Sequence, residues 1–144
     1  MPAQFDRLGI SFQYPENWTL DDSDAMLGRK SVTIYSPGGA FWNVALYSGS
    51  EKPGNLTAAI LKSLQQEYGG LESEPVEEDV AGHHLEGFEL AFYYLDLTNT
   101  AQIRGFCVAN TSYTIYYQAE DREYAQLERV FQAITFSLLN SLEP

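Results

Sequence analysis

A single cysteine, Cys107, excludes any disulfide within the chain, and nothing in its covalent chemistry calls for an oxidising compartment. Basic residues are scarce: 8 Lys and Arg stand against 20 Asp and Glu, for a formal charge of −12. Such a surface repels phosphate backbones and anionic lipid, which argues against nucleic-acid binding; the acidity is read first as keeping a small domain in solution, with attraction to a basic protein partner as the alternative. Apolar runs are short, and none approaches the roughly 18 to 20 residues that cross a bilayer. The opening Met1-Pro2-Ala3-Gln4-Phe5-Asp6-Arg7 lacks the basic start, apolar run and cleavage site of a secretory signal, so a cytoplasmic protein is expected.

Motifs that announce chemistry are missing too. No Gly-x-Gly-x-x-Gly, Walker-type loop, Gly-x-Ser-x-Gly elbow or His-Glu-x-x-His occurs in the chain. Histidine appears only at His83 and His84. Adjacent strand residues point to opposite faces, so this pair cannot easily grip one ion, and neither a metal nor another cofactor is expected. The acidic sets Asp21, Asp22, Asp24 and Glu72, Glu74, Glu77, Glu78, Asp79 lack the spacing and turn glycine of an EF-hand and read as solvated charge. Cys107 lies in Phe106-Cys107-Val108-Ala109, an apolar setting that disfavours a thiolate and predicts a buried core thiol. No catalytic set assembles, so the chain reads as a non-enzyme.

What is present is ample apolar material. Hydrophobic residues make up 44% of 144, enough for one domain over residues 1–144 with a core that needs no staples. Leu8 to Tyr14 alternates and is closed by Pro15, as a half-buried strand would be. Asp21 to Asp24 is turn-like. Ser31 to Tyr35 and Phe41 to Tyr47 predict a hairpin around Ser36-Pro37-Gly38-Gly39. Asn55 can cap a helix carrying Leu56, Ile60 and Leu64, which Gly69-Gly70 ends.

Leu71 to Val80 is acidic and contains Pro75, which suits a sheet edge. Then follow His84 to Leu97, Gln102 to Ala109 and Tyr113 to Ala119, parted by Thr98-Asn99-Thr100 and Asn110-Thr111-Ser112, the pattern of an antiparallel meander. Asp121 can cap a second helix, with Tyr124, Leu127, Phe131 and Ile134 on one face, and Phe136 and Leu138 continue past it. Phe41 to Leu46 and Phe88 to Leu95 are apolar on both parities and want cover on both sides. The expected fold is α+β: a central antiparallel sheet of about six strands with helices packed on it as a three-layer sandwich.

The run Ile10-Ser11-Phe12-Gln13-Tyr14-Pro15-Glu16-Asn17-Trp18, a strand followed by a Pro-x-x-Trp turn, and the closing Phe131-Gln132-Ala133-Ile134-Thr135-Phe136-Ser137-Leu138 resemble the Mog/PsbP-like superfamily. The order of hairpin, helix, longer strands and terminal helix between them is similar too. The resemblance, which extends to PsbP-like and DcrB-type bacterial domains, implies a fold and an accessory or binding role without a catalytic set to carry over. Trp18 is expected to plug one end of the core.

The aromatic load is the unusual feature: 10 Tyr, 8 Phe and 2 Trp. Trp42, Tyr93, Tyr94, Tyr113, Tyr116 and Tyr117 are the candidate interaction residues, provided that Trp42, Tyr93 and Tyr116 share an open sheet face; the more ordinary reading is that these rings fill the interface between sheet and helices with their hydroxyls at its margin. The function expected first is a non-enzymatic accessory domain that binds another protein. The alternative is a small apolar ligand held in an aromatic pocket between sheet and helix.

Overall fold

The computed structural model describes residues 2–142. A hairpin opens the chain, with strand β1 (Ala3–Arg7) against β2 (Ile10–Tyr14), followed by β3 (Thr19–Asp21), the short helix α1 (Ser23–Met26), β4 (Ser31–Tyr35) and β5 (Phe41–Ser48). Helix α2 (Pro53–Glu67) leads to β6 (Glu72–Val80), β7 (His83–Tyr94), β8 (Leu97–Val108) and β9 (Thr111–Glu120), and helix α3 (Asp121–Ser141) closes the fold. The main sheet has seven strands in the order β3-β4-β5-β9-β8-β7-β6, every neighbouring pair antiparallel. Thus α2 carries the chain from β5 to the far edge, and the meander β6 to β9 returns to pair with β5.

Strand alternation assigns the faces. Val32, Ile34, Trp42, Val44, Phe106, Ile115 and Tyr117 point one way, where they pack with Phe131, Ile134 and Leu138 of α3 and with Phe5, Ile10 and Phe12 of the β1–β2 hairpin. Leu90, Phe92, Ala101 and Ile103 point the other way, under Ile60, Leu61 and Leu64 of α2. The result is the expected α+β three-layer sandwich. Each outer layer is incomplete: α2 leaves β4 and β5 open on its side, and α3 leaves part of β6 and β7 open on the other. Trp18 sits buried at the end of the larger core, its ring edge-on to Phe131 at 5.9 Å.

Several boundaries differ from the sequence reading, each for a local reason. Leu8 is not in a strand; Leu8 and Gly9 take left-handed φ of 60° and 76° and form the β1–β2 turn, so Ala3–Arg7 is an additional strand. Thr98-Asn99-Thr100 is no break. Those residues lie within β8, and the β7–β8 turn is Leu95-Asp96, again with φ of 54° and 61°. A turn built from leucine and aspartate carries none of the Asn-Gly chemistry that announces such turns. Helix α2 begins with Pro53 at its first position and extended Lys52 as its cap, ahead of Asn55. At α3 the cap is Glu120, whose carboxylate accepts from the amides of Arg122 and Glu123, and Phe136 and Leu138 belong to the helix.

Cys107 is exposed, against the expectation of a core thiol. Its neighbour Phe106 takes the core face, which turns Cys107 to the α2 face; there Gly105 already meets Pro53 and Thr57 at the start of that helix, so Cys107 lies beyond its cover.

Candidate functional site

The six candidate aromatics do not share a face, because alternation separates them. Trp42 is fully buried, and its Nε1 donates to Thr135 Oγ1 at 3.0 Å. Tyr113 stacks on Phe106 at 4.9 Å and Tyr117 on Phe131 at 4.6 Å, both inside the α3 core. Tyr116 turns to the α2 face, close to Phe41 at 5.6 Å, with its hydroxyl bonded to Gln118. Burial pushes the Tyr116 and Tyr117 hydroxyls up, so both stay protonated. Only Tyr93 and Tyr94 stand in solvent, on opposite sides of the end of β7.

At that end the chain presents a projecting apolar tip. Tyr93 is 73% exposed, Tyr94 50%, Leu95 77% and Leu97 42%. Tyr94 is anchored edge-on to Tyr68 at 5.9 Å, and Tyr68 stacks on Phe92 at 4.4 Å, so the base of the tip is tied to α2's core. Carboxylates lie near it: Asp96 is in the turn, and Glu120 and Glu123 line a hollow shared with Tyr94, Leu95 and Leu97.

A second feature lies where α3 leaves the sheet open. A cleft of about 670 Å³ runs between the α3 face of β6 to β9 and the helix itself. Its floor holds a buried cation: Arg104 Nε donates to Glu78 Oε1 at 2.9 Å, and Nη1 donates to the carbonyls of Phe88 and Ile103 at 3.2 and 2.9 Å. Beside it, Gln102 Nε2 donates to the Tyr124 hydroxyl at 3.2 Å, while Gln102 Oε1 is buried with no hydrogen-bond partner among the described residues. Tyr117, Glu89, Glu128 and Phe136 complete the walls. The sequence reading missed this constellation. Its trace is Gln102-x-Arg104, two polar side chains on one parity of the otherwise apolar run Ala101 to Val108.

The histidines separate as their adjacency predicts. His83 is buried, and its Nε2 donates to the carbonyls of Leu139 and Leu142 at 3.1 and 3.0 Å, closing the C-terminal end of α3. His84 is exposed on the other face, where its Nδ1 is 3.0 Å from Asp79 Oδ1. Glu77, His84 and Glu86 bring ligand atoms within 4.8 Å of one another on this open acidic edge, and solvated charge accounts for the group. The hydrogen bond to Asp79, with the negative field of Glu77 and Glu86, raises the His84 pKa above its ordinary 6.5. Its contribution to stability is therefore complete below the ordinary value and lost as pH rises through the raised one. An NMR titration should place the His84 midpoint above 6.5 and Asp79→Asn should return it toward that value. An unmoved midpoint in the variant would show that the pair does not form.

No family model matches the chain, and no curated protein matches it. Solved structures do. The cyanobacterial PsbP (CyanoP) of Synechocystis superposes with a TM-score of 0.63 at 12% identity, over 94% of this chain and 90% of that one. The fold is PsbP-like. A Pseudomonas aeruginosa protein of unknown function is similar at a TM-score of 0.60 and 9% identity, covering 99% of this chain and 96% of its own. LpqN, involved in cell envelope biogenesis of Mycobacterium tuberculosis, is similar at 0.53 and 12%, over 93% and 86%. At these identities the PsbP-like likeness speaks for the fold alone. No helix among the described residues is long and apolar enough to cross a membrane.

Proposed function

We propose that this chain is a non-enzymatic accessory domain that binds another protein, with the β7–β8 tip as its docking element. Leu95 carries the reading. A leucine in the left-handed region costs roughly 1–2 kcal/mol relative to a residue suited to it. Here it gains no burial in return, being 77% exposed at φ 54°. The two-residue β7–β8 turn demands that φ, and an exposed leucine kept there beside Tyr93 and Leu97, where asparagine or glycine would fit without strain, suits a contact made outside the chain. Asp96 in the turn and Glu123 in the adjoining hollow suit a partner with basic groups at its rim, and Tyr93 and Tyr94 are the anchors such interfaces use. An apolar small ligand is not what the cleft under α3 suits, since Arg104, Gln102 and three glutamates line it.

The test places a photo-reactive residue at Tyr93 and, as a control on a separate exposed apolar patch, at Met26. Position 93 should capture one protein, in a yield that falls at high salt, and position 26 should not. Leu95→Asn is the companion variant: asparagine tolerates left-handed φ, so the fold should gain about 1 kcal/mol while capture is lost. Capture that is equal at both positions, or that survives Leu95→Asn, would contradict this assignment.

A further inference from the structure

We infer that the cleft under α3 binds a primary alkylammonium group, the end of a lysine side chain or of a free amine. The inference concerns a site separate from the β7–β8 tip and stands without it. It begins with Gln102, which is only 6% exposed yet leaves Oε1 with no partner among the described residues. Reversing the amide would let Oε1 accept from the Tyr124 hydroxyl but would strand Nε2 in its place. One end of the group needs an outside partner in either orientation. As placed, that partner is a donor.

Charge selects the donor. Glu78, Glu89 and Glu128 line the cleft with Arg104 and Arg129, which leaves a surplus of one negative charge. Arg104 is already committed to Glu78 and to backbone carbonyls. Arg129 stands at the rim and also lines the groove between α3 and the N-terminal hairpin. Glu89 and Glu128 have no ion pair among the described residues, and an anionic ligand would meet them without compensation. A monocation neutralises the surplus and donates to the orphaned oxygen.

Shape favours ammonium over guanidinium. An ammonium presents its N–H groups from one compact centre, which suits acceptors at Gln102, Glu89 and Glu128 on different walls of one cleft, whereas a planar guanidinium would bring a second such plane against Arg104. The rings of Tyr117 and Tyr124 border the same space, and tyrosine faces attract cations. Val80, Leu85 and Phe136 offer apolar surface to the alkyl stem. The volume of about 670 Å³ lies in the range of small-ligand sites.

The experiment is an NMR titration of the full chain at constant ionic strength with n-butylamine and Nα-acetyl-lysine-methylamide. n-Butanol and the Nε-acetylated lysine derivative serve as uncharged counterparts. Both amines should shift the Gln102 side-chain amide and the Tyr117 and Tyr124 ring signals, with the neutral compounds at least roughly tenfold weaker. Tighter binding of the lysine derivative would identify a polypeptide lysine as the source, and tighter binding of butylamine a free amine; both support the site. Gln102→Leu should weaken binding roughly tenfold. Should that variant fail to fold, Glu89→Gln and Glu128→Gln, at exposed positions, should each weaken it several-fold with the spectrum otherwise intact. Neutral compounds binding as well as the amines, shifts scattered over surface carboxylates without Gln102, or substitutions without effect would each overturn the assignment.

Discussion

Trp42→Ala is expected to cost about 3–5 kcal/mol, measured as a fall in the denaturant midpoint with an unchanged slope. The indole sits on β5 with no exposure, its ring centroid 4.9 Å from that of Phe12 on the N-terminal hairpin. Its Nε1 donates to Thr135 Oγ1 on α3. One side chain therefore joins sheet, hairpin and terminal helix, and truncation opens a cavity bordered by all three. Trp42→Phe separates the two contributions, because phenylalanine keeps most of the ring contact but removes the donor. It should cost less, about 1–2 kcal/mol, for the Thr135 hydroxyl left without its partner. A loss below about 1 kcal/mol for Trp42→Ala would mean that the hairpin and α3 are held to the sheet elsewhere.

The elements whose outlines were legible in the sequence are those in which one physical signal dominates. Ser31–Tyr35 and Phe41–Ser48 flank a Pro-Gly-Gly turn, and Glu72–Val80, with its charge and Pro75, lies at the sheet edge where proline costs least. The strands apolar on both parities lie within the sheet: β5 pairs with β4 and β9, β7 with β6 and β8. The turns were harder, because Leu8-Gly9 and Leu95-Asp96 rest on a leucine in a conformation that leucine rarely adopts. A polar Thr-Asn-Thr run looked more like a break than the hydrophobic tip beside it.

The site residues show the complementary limit. Composition revealed the tyrosines, but only parity and the reach of each helix decide which are exposed: Tyr113 and Tyr117 fall under α3, and Tyr93 and Tyr94 run past both layers. Gln102 and Arg104 are ordinary residues in sequence. They acquire meaning because α3 stops short of β6 and β7 and leaves them at the bottom of a cleft rather than in a filled core. The same partial cover on each face of the sheet thus provides both the cleft and the open shelf of β4 and β5 beside α2.

Gly87→Ala tests how closely that cleft depends on the sheet beneath it. Gly87 lies on β7 opposite Arg104, between Leu85 and Glu89 on the same strand. A Cβ built there runs into the backbone carbonyl of Ile103, and no side-chain rotation relieves the clash. That carbonyl accepts from Arg104 Nη1 at 2.9 Å, so the glycine makes room for the guanidinium to fold back onto its own strand. Alanine must push β7 and β8 apart or displace Ile103, and the expected cost is about 3 kcal/mol, at the upper end for overpacking. Gly69→Ala is the matched control: no atom lies within 4 Å of its Cβ position, and its change should stay within about 0.5 kcal/mol. The Arg104 guanidinium Nε–H signal should move in Gly87→Ala and not in Gly69→Ala. Equal stability of the two variants would show that β7 and β8 can separate at this point without loss, and the cleft floor would then be compliant rather than fixed.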